Sequence, residues 1–177
     1  IQTSIGSDIM MVLDECPSAL ATKEYLMDSL ELTTRWAKRC KEEKARLGKN
    51  NKKLKKSLLF AIVQGGTNAK LRAISTKQLT AVGFDGYALG GLAVGEPVKA
   101  MLKTLDSTVP FLPLDKPRYL MGVGYPEQIV EAVKRGIDMF DCVLPTRNAR
   151  HGVLFANLKL SKTLKTSYNI IRIKQQK

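Results

Sequence analysis

Residues 58–66, Leu-Leu-Phe-Ala-Ile-Val-Gln-Gly-Gly, decide the fold, because an apolar run rich in β-formers ends abruptly in an amide and two glycines. Further short apolar segments of this kind lie at residues 9–13, 86–89, 118–123 and 139–144. Between these segments, apolar residues recur at helical spacing over residues 24–47, 68–82, 97–105 and 126–135. The alternation predicts βα units and a parallel sheet.

The residues that follow the predicted strands are polar or glycine-rich. They are residues 14–16 (Asp-Glu-Cys), 64–66 (Gln-Gly-Gly), 90–92 (Gly-Gly-Leu), 122–124 (Gly-Val-Gly) and 141–142 (Asp-Cys). Such strand ends form the active face of a (β/α)8 barrel, although a doubly wound sheet also places ligands at its carboxyl edge. We predict an α/β fold, a partial (β/α)8 TIM barrel, with the doubly wound sheet as the alternative. Since five βα units leave such a barrel unclosed and the chain begins at Ile1, we expect truncation at both ends.

Size and composition limit the class of protein. A chain of 177 residues with 44% hydrophobic content suffices for one sizeable core. The longest apolar run, residues 58–63, is far shorter than the roughly 20 residues of a membrane span, so we predict a cytoplasmic protein without membrane contact. Cys16, Cys40 and Cys142 are widely spaced and His151 is the single histidine, so the sequence predicts reduced thiols and neither metal ligands nor a cofactor in this chain.

The net charge of +13 favours a polyanionic partner such as RNA. Part of this charge is a lysine cluster within residues 49–56, and the 36 residues after Asp141 carry eight basic side chains and no acidic one. Solvated or disordered basic tracts are the alternative interpretation of both stretches.

Asp141 is the best candidate for a nucleophile, because it ends a predicted strand and precedes a predicted loop that carries Arg147 and Arg150. A carboxylate can attack a sugar anomeric carbon and hold it covalently, and arginines suit phosphates. A capping aspartate beside two solvated arginines is the structural alternative. Asp14 and Gln64, at neighbouring strand ends, offer a carboxylate and an amide for the edge of a purine-like base.

Several strings of the sequence are similar to signature segments of the queuine and preQ1 tRNA-ribosyltransferase family, the tRNA-guanine transglycosylases. The strings are residues 6–16, 62–66, 83–96, 116–124 and 136–150, the last being Gly-Ile-Asp-Met-Phe-Asp-Cys-Val-Leu-Pro-Thr-Arg-Asn-Ala-Arg. The resemblance implies a (β/α)8 barrel with a zinc-binding insertion near its C-terminal end. It also implies a pentosyltransferase that exchanges guanine for preQ1 at the wobble position of tRNAs with a GUN anticodon, in queuosine biosynthesis.

The resemblance further implies the roles of individual residues. Asp141 would be the nucleophile that attacks C1′ of the wobble guanosine. Arg147 and Arg150 would contact the anticodon-loop backbone. The side chains or backbone that would bind the base are those of Asp14, Cys16, Gln64, Gly91, Leu92, Met121 and Gly122. Full-length members are homodimers and bind zinc.

Two positions favour the bacterial, preQ1-using subtype. Cys16 completes Asp-Glu-Cys, where eukaryotic members tend to differ. Val94 stands where those members usually carry a glycine that admits the larger cyclopentenediol of queuine. The resemblance therefore implies a pocket sized for preQ1.

Three features depart from the family pattern. The aspartate-serine-glycine-glycine motif of the general base and the cysteine cluster of the zinc site have no counterpart here, and the sequence after Phe155 resembles the family little. We therefore expect residues 1–155 to be the central and C-terminal part of a transglycosylase barrel, residues 156–177 a divergent basic tail, and the zinc subdomain to be absent.

These departures make activity of the isolated chain doubtful and leave two alternatives. One is an inactive remnant or split-gene fragment that acts at most as a basic RNA-binding module. The other is an unrelated barrel glycosidase, which would need a second carboxylate, such as that of Asp14, about 5 Å from Asp141.

Overall fold

The computed structural model describes residues 1–173, and its centre is a curled five-stranded parallel sheet. The strands are β1 (Ile9–Met11), β2 (Leu58–Val63), β3 (Gly86–Leu89), β4 (Arg118–Leu120) and β5 (Met139–Phe140), and each pairs with its neighbours in sequence. Parallel neighbours of this kind require helical crossovers, which the intervening segments supply. The predicted partial (β/α)8 barrel is thereby confirmed.

The longer helices lie close to the ranges predicted from the sequence. They are α2 (Lys23–Gly48), α4 (Ala69–Val82), α5 (Val98–Thr108) and α6 (Pro126–Val133), accompanied by the short helices α1 (Gln2–Ile5), α3 (Lys52–Lys56) and α7 (Leu144–Arg150) and the 3-10 turn Val109–Phe111. Side-chain caps fix the starts of α2 and α4: the Thr22 hydroxyl accepts from Tyr25 N, and the Asn68 amide oxygen accepts from Lys70 N and Leu71 N. Within residues 1–173, no helix is long and apolar enough to span a membrane.

The core lies on both faces of the central strands. All of β3 and all of β2 after Leu58 are buried, which explains why β2 reads as an uninterrupted apolar run. The β2 side chain of Phe60 is fully buried, and Gly86 on β3 leaves room for its ring, since a Cβ at residue 86 would lie 2.4 Å from Phe60 Cζ. The placement of the Phe60 ring against β3 therefore requires glycine at position 86.

Two aspartates make the same pair of hydrogen bonds to a neighbouring strand, and each stands just before a strand begins. Asp85, just before β3, donates its N–H to Leu59 O at 3.0 Å and accepts from Leu59 N at 2.8 Å through Oδ2. Asp138, just before β5, does the same with Arg118, at 2.8 Å to the carbonyl and 2.9 Å from the N–H. Each aspartate acts as one more residue of the ladder and sets the register of its strand.

The structure corrects one local expectation and adds an element. Residues 145–150, predicted as a loop, belong to helix α7, because Pro145 lies in the first turn of that helix, where its missing N–H costs nothing. Strand β6 (Val153–Leu160), which begins before the predicted basic tail of residues 156–177, forms an antiparallel hairpin with β7 (Thr166–Arg172), and residues 174–177 of that tail lie outside the described residues. Phe155 packs between Tyr125 and Tyr168, with ring centroids 6.1 Å and 4.9 Å away. The domain boundary predicted near residue 155 stays a prediction.

Candidate active site

The carboxyl ends of β1 and β2 bring two of the predicted site residues into contact. Gln64 Nε2 donates to Asp14 Oδ2 at 2.7 Å. Gln64 follows β2 directly and is only 1% exposed, and its backbone N–H donates to the Ser75 hydroxyl on α4 at 3.1 Å. Burial raises the pKa of Asp14, and the hydrogen bond from Gln64 opposes that rise. The buried amide of Gln64 thus holds the carboxylate of Asp14 in place through this hydrogen bond.

Gly90 and Gly91 follow β3 and close around the same amide. A Cβ at residue 90 would lie 2.7 Å from Gln64 Nε2, and one at residue 91 would lie 2.4 Å from Gln64 Oε1. Gly91 also has φ +62°, a conformation that disfavours other residues. Gln64 Oε1 is buried and has no hydrogen-bond partner within residues 1–173. Side chains at either glycine would therefore displace Gln64.

Arg72 on α4 is a site residue that the sequence analysis did not identify. Its guanidinium is fully buried and donates to Gly66 O (2.7 Å), Val63 O (2.8 Å) and Gly90 O (2.7 Å). These carbonyls lie at the ends of two adjacent strands, so one side chain ties both turns together. Burial lowers the pKa of Arg72 to about 10, and the carboxylate of Glu96 opposes that shift. An arginine within a helix gives no sequence signal for such a role, because most are solvated.

The segment after β1 is held against α2. Glu15 N donates to the Thr33 hydroxyl at 3.1 Å, the Ser29 hydroxyl donates to Glu15 O at 3.4 Å, and the Tyr25 hydroxyl donates to the Glu15 carboxylate. These contacts fix the backbone on the C-terminal side of Asp14. The neighbouring Cys16 is exposed.

Asp141 follows β5 and is exposed, while its carboxylate is oriented by two donors. The Tyr119 hydroxyl donates to Oδ1 at 2.7 Å, and Gly122 N donates to the same oxygen at 2.9 Å. Burial and the hydrogen bond to Asp141 raise the pKa of the Tyr119 hydroxyl, which therefore keeps its proton. Within residues 1–173, no hydrogen bond engages Oδ2. The two donors thus orient the Asp141 carboxylate through Oδ1 and leave Oδ2 available to a ligand.

The turn between β3 and α5 carries Leu92 and Val94. Leu92 is buried, and Val94 is 38% exposed. The Glu96 carboxylate accepts from Ala93 N at 2.5 Å and from Val94 N at 3.0 Å, and Ala93 has φ +56°. A single carboxylate thus shapes the backbone of this turn.

The remaining predicted residues lie near the end of β4 and on α7. Met121, one residue after β4, is half-buried and packs against the core. Arg147 and Arg150 are exposed and stand three positions apart on α7, so they share one side of that helix. The structure thus forms one group from Asp14, Gln64 and the glycines, and another from Asp141, Tyr119 and Gly122.

The family resemblance implies zinc for full-length members. In the described part of the chain, no group of three or more histidine, cysteine, aspartate or glutamate side chains could hold a metal ion.

Comparisons with known proteins agree on one family. The family model for queuine tRNA-ribosyltransferase matches residues 1–177. A queuine tRNA-ribosyltransferase of Mannheimia succiniciproducens is 54% identical over 168 residues, 95% of this chain and 43% of that protein. One of Hydrogenovibrio crunogenus is 57% identical over 157 residues, 89% of this chain and 40% of that protein. The chain spans less than half the length of these relatives.

Proposed function

This chain belongs to the queuine tRNA-ribosyltransferase family, and we propose that it provides the nucleophile and the base-binding wall of a tRNA-guanine transglycosylase. The reaction is the exchange of guanine for preQ1 at the wobble position of a GUN anticodon, and it belongs to queuosine biosynthesis in the cytoplasm.

The orientation of the Asp141 carboxylate carries this proposal. Two donors hold Oδ1, so Oδ2 is presented at the carboxyl edge of the sheet, where barrel enzymes bind their substrates. Orientation of this kind lowers the entropic cost of reaching the attack geometry.

In the first step, Oδ2 of Asp141 forms a bond to C1′ of the guanosine as the bond from C1′ to N9 breaks. Guanine leaves with the electron pair and takes up a proton, and the ribose stays attached to the protein as an ester. In the second step, N9 of preQ1 attacks C1′, loses its proton and releases the Asp141 carboxylate. The tRNA backbone remains intact throughout.

The wall formed by Asp14, Gln64 and Gly91 supports recognition of both bases. The Asp14 carboxylate is an acceptor for the N–H groups on the edge that guanine and preQ1 share, and its Oδ1 carries no hydrogen bond within residues 1–173. Glycines at positions 90 and 91 let the backbone approach a flat ligand closely. Arg147 and Arg150 on α7 would hold anticodon-loop phosphates, as their exposed position after Asp141 supports.

The test is a base-exchange assay. The chain is incubated with unmodified tRNA and radiolabelled guanine, and the label retained in the RNA is counted for the wild type and for Asp141→Asn. We expect any label that the wild type incorporates to be absent from Asp141→Asn, because asparagine keeps the size of the side chain but lacks a nucleophilic carboxylate.

Two outcomes would contradict the proposal. Equal incorporation by both chains would exclude Asp141 as the nucleophile. No incorporation by the wild type, combined with tRNA binding, would instead favour an RNA-binding module without catalysis.

A further inference from the structure

A second basic surface lies at the end of the sheet opposite to the candidate active site. Helix α3 ends at Lys56, just before β2 begins at Leu58, and Lys116 stands just before β4. Because all strands of the sheet are parallel, these residues lie at its amino edge, whereas Asp14, Gln64 and Asp141 follow the strands. We call this surface the lysine face and define it as Lys44, Lys49, Lys52, Lys53, Lys55, Lys56 and Lys116.

Four residues of the lysine face, Lys44, Lys49, Lys55 and Lys116, line a cavity of about 690 Å³ between the end of α2, α3 and the starts of β2 and β3. Its charged lining consists of five lysines, Lys41, Lys44, Lys49, Lys55 and Lys116, and one carboxylate, Asp85. Leu54, Leu59 and Phe84 form part of an apolar floor. A second depression beside it is lined by Lys52, Lys53, Lys55 and Lys56 alone. The cavity therefore has a large local excess of positive charge.

Little inside the protein neutralises this charge. Asp85 already accepts from Leu59 N and stands 3.8 Å from Lys44, and Lys116 stands 3.5 Å from Asp115. In the part of the chain that the structure describes, Lys49, Lys52, Lys55 and Lys56 make neither an ion pair nor a side-chain hydrogen bond. Like charges so close together repel, and an external polyanion would relieve that repulsion.

We propose that the lysine face binds the phosphate backbone of the tRNA outside the anticodon loop. The identity of the RNA rests on the proposed function, but the charge and the cavity do not depend on it. Lysines on flexible stems suit phosphates as point charges and read no base sequence. In this proposal, a full-length tRNA contacts both the candidate active site and the lysine face. A short anticodon hairpin contacts the candidate active site alone, so the lysine face does not add to its affinity.

The test is a comparison of two triple variants with equal charge changes. The test variant is Lys49→Gln, Lys52→Gln, Lys55→Gln on the lysine face. The matched control is Lys38→Gln, Lys77→Gln, Lys103→Gln, which removes exposed lysines from the flanks of α2, α4 and α5. Fluorescence anisotropy measures binding of a full-length tRNA and of a short anticodon hairpin over a range of salt concentrations, and circular dichroism verifies that both variants are folded.

We expect the test variant to lose about tenfold in affinity for the tRNA at low salt, and its slope of log affinity against log salt to fall by about 2 to 3. The hairpin affinity of the test variant and both affinities of the control should match the wild type. Equal losses in the two variants, or an equal loss on the hairpin, would overturn the proposal. So would unchanged tRNA affinity with weakened binding to phosphatidylserine vesicles, which would assign the face to a membrane.

Failure of the proposed function gives a different result. If neither wild type nor variants exchange guanine in the hairpin, transglycosylation is contradicted, while a selective loss of tRNA affinity in the test variant still supports the lysine face.

Discussion

The wall around Asp14 and the setting of Asp141 are built in opposite ways, although both stand at the carboxyl edge of the same sheet. Gln64 and Arg72 are buried, and their contacts reach the carboxyl ends of three strands, β1, β2 and β3. Asp141 is exposed and is fixed by two donors to one oxygen. In the proposed function, recognition would thus depend on the folded core, whereas the nucleophile would depend on local orientation. Loss of the buried side chains of the first region, Gln64 or Arg72, should weaken folding and base binding together, and damage to the second should slow chemistry alone.

The largest effect is expected from Arg72→Met. It removes four charge-assisted hydrogen bonds to backbone carbonyls, so the free energy of unfolding should fall by about 2–4 kcal/mol and preQ1 affinity by about a hundredfold. Urea denaturation and calorimetric titration measure the two quantities. Arg35→Met, on the exposed side of α2, is the control and should change stability by less than about 0.5 kcal/mol. Unchanged preQ1 affinity in a folded Arg72→Met chain would separate Arg72 from the recognition wall.

Tyr119→Phe tests the second region. The variant keeps the ring but loses the hydroxyl that donates to Asp141 Oδ1, so kcat of base exchange should fall about tenfold to a hundredfold while preQ1 affinity stays unchanged. Single-turnover base exchange and calorimetric titration separate the two parameters. Weaker preQ1 binding with an intact kcat would show that the two regions are not independent.

Asp14→Asn separates stability from recognition. Burial raises the pKa of Asp14 in the folded state. Above this raised pKa the buried carboxylate is charged and lowers the free energy of unfolding. As the pH falls toward the pKa of the unfolded state, about 3.9, the carboxyl is protonated and the destabilisation disappears. The Asn variant should therefore have a higher Tm than the wild type at pH 8, and the gap should close near pH 4. Its preQ1 affinity at pH 8 should drop by about tenfold. A difference in Tm between Asp14→Asn and the wild type that stays constant with pH would contradict burial as the cause of the raised pKa of Asp14.

Val94→Gly should have the smallest effect. Val94 is partly exposed on the turn held by Glu96, and the variant would enlarge the preQ1 pocket that the family resemblance implies while leaving the buried Gln64 and Arg72 in place. We expect measurable incorporation of queuine and a change of only a few fold in preQ1 affinity. Competition between the two bases in the exchange assay measures the ratio, and an unaltered ratio would exclude Val94 as a determinant of size.

Much of the sheet could be predicted because buried parallel strands impose long apolar runs. Residues 58–63 and 86–89 match β2 and β3 in full, while the strand predicted over 139–144 ends at Phe140, since the residues after it turn into α7. The hairpin of β6 and β7 was missed because its turn lacks an Asn-Gly or Asp-Gly signal and its strands expose most of their residues.

Candidate site residues could be predicted only where they follow a predicted strand. Gln64 and Asp141 directly follow β2 and β5, whereas Asp14 follows the predicted strand over residues 9–13 and is separated from the end of β1 by Val12 and Leu13. Arg72 could not be predicted, because its contacts depend on how α4 packs against the ends of β2 and β3. The local sequence around Arg72 contains no information about that packing. The donors to Asp141 come from the neighbouring strand β4, so the pairing of β4 with β5 was needed to identify Tyr119.

The most direct test of the division between recognition and chemistry is calorimetric titration of preQ1 into the Asp141→Asn chain, beside the wild type. We predict affinities within about twofold of each other, because the Asn side chain leaves Asp14, Gln64 and Arg72 untouched. A loss of binding in Asp141→Asn would contradict the separation of the two regions. No binding by the wild type would contradict the recognition wall itself.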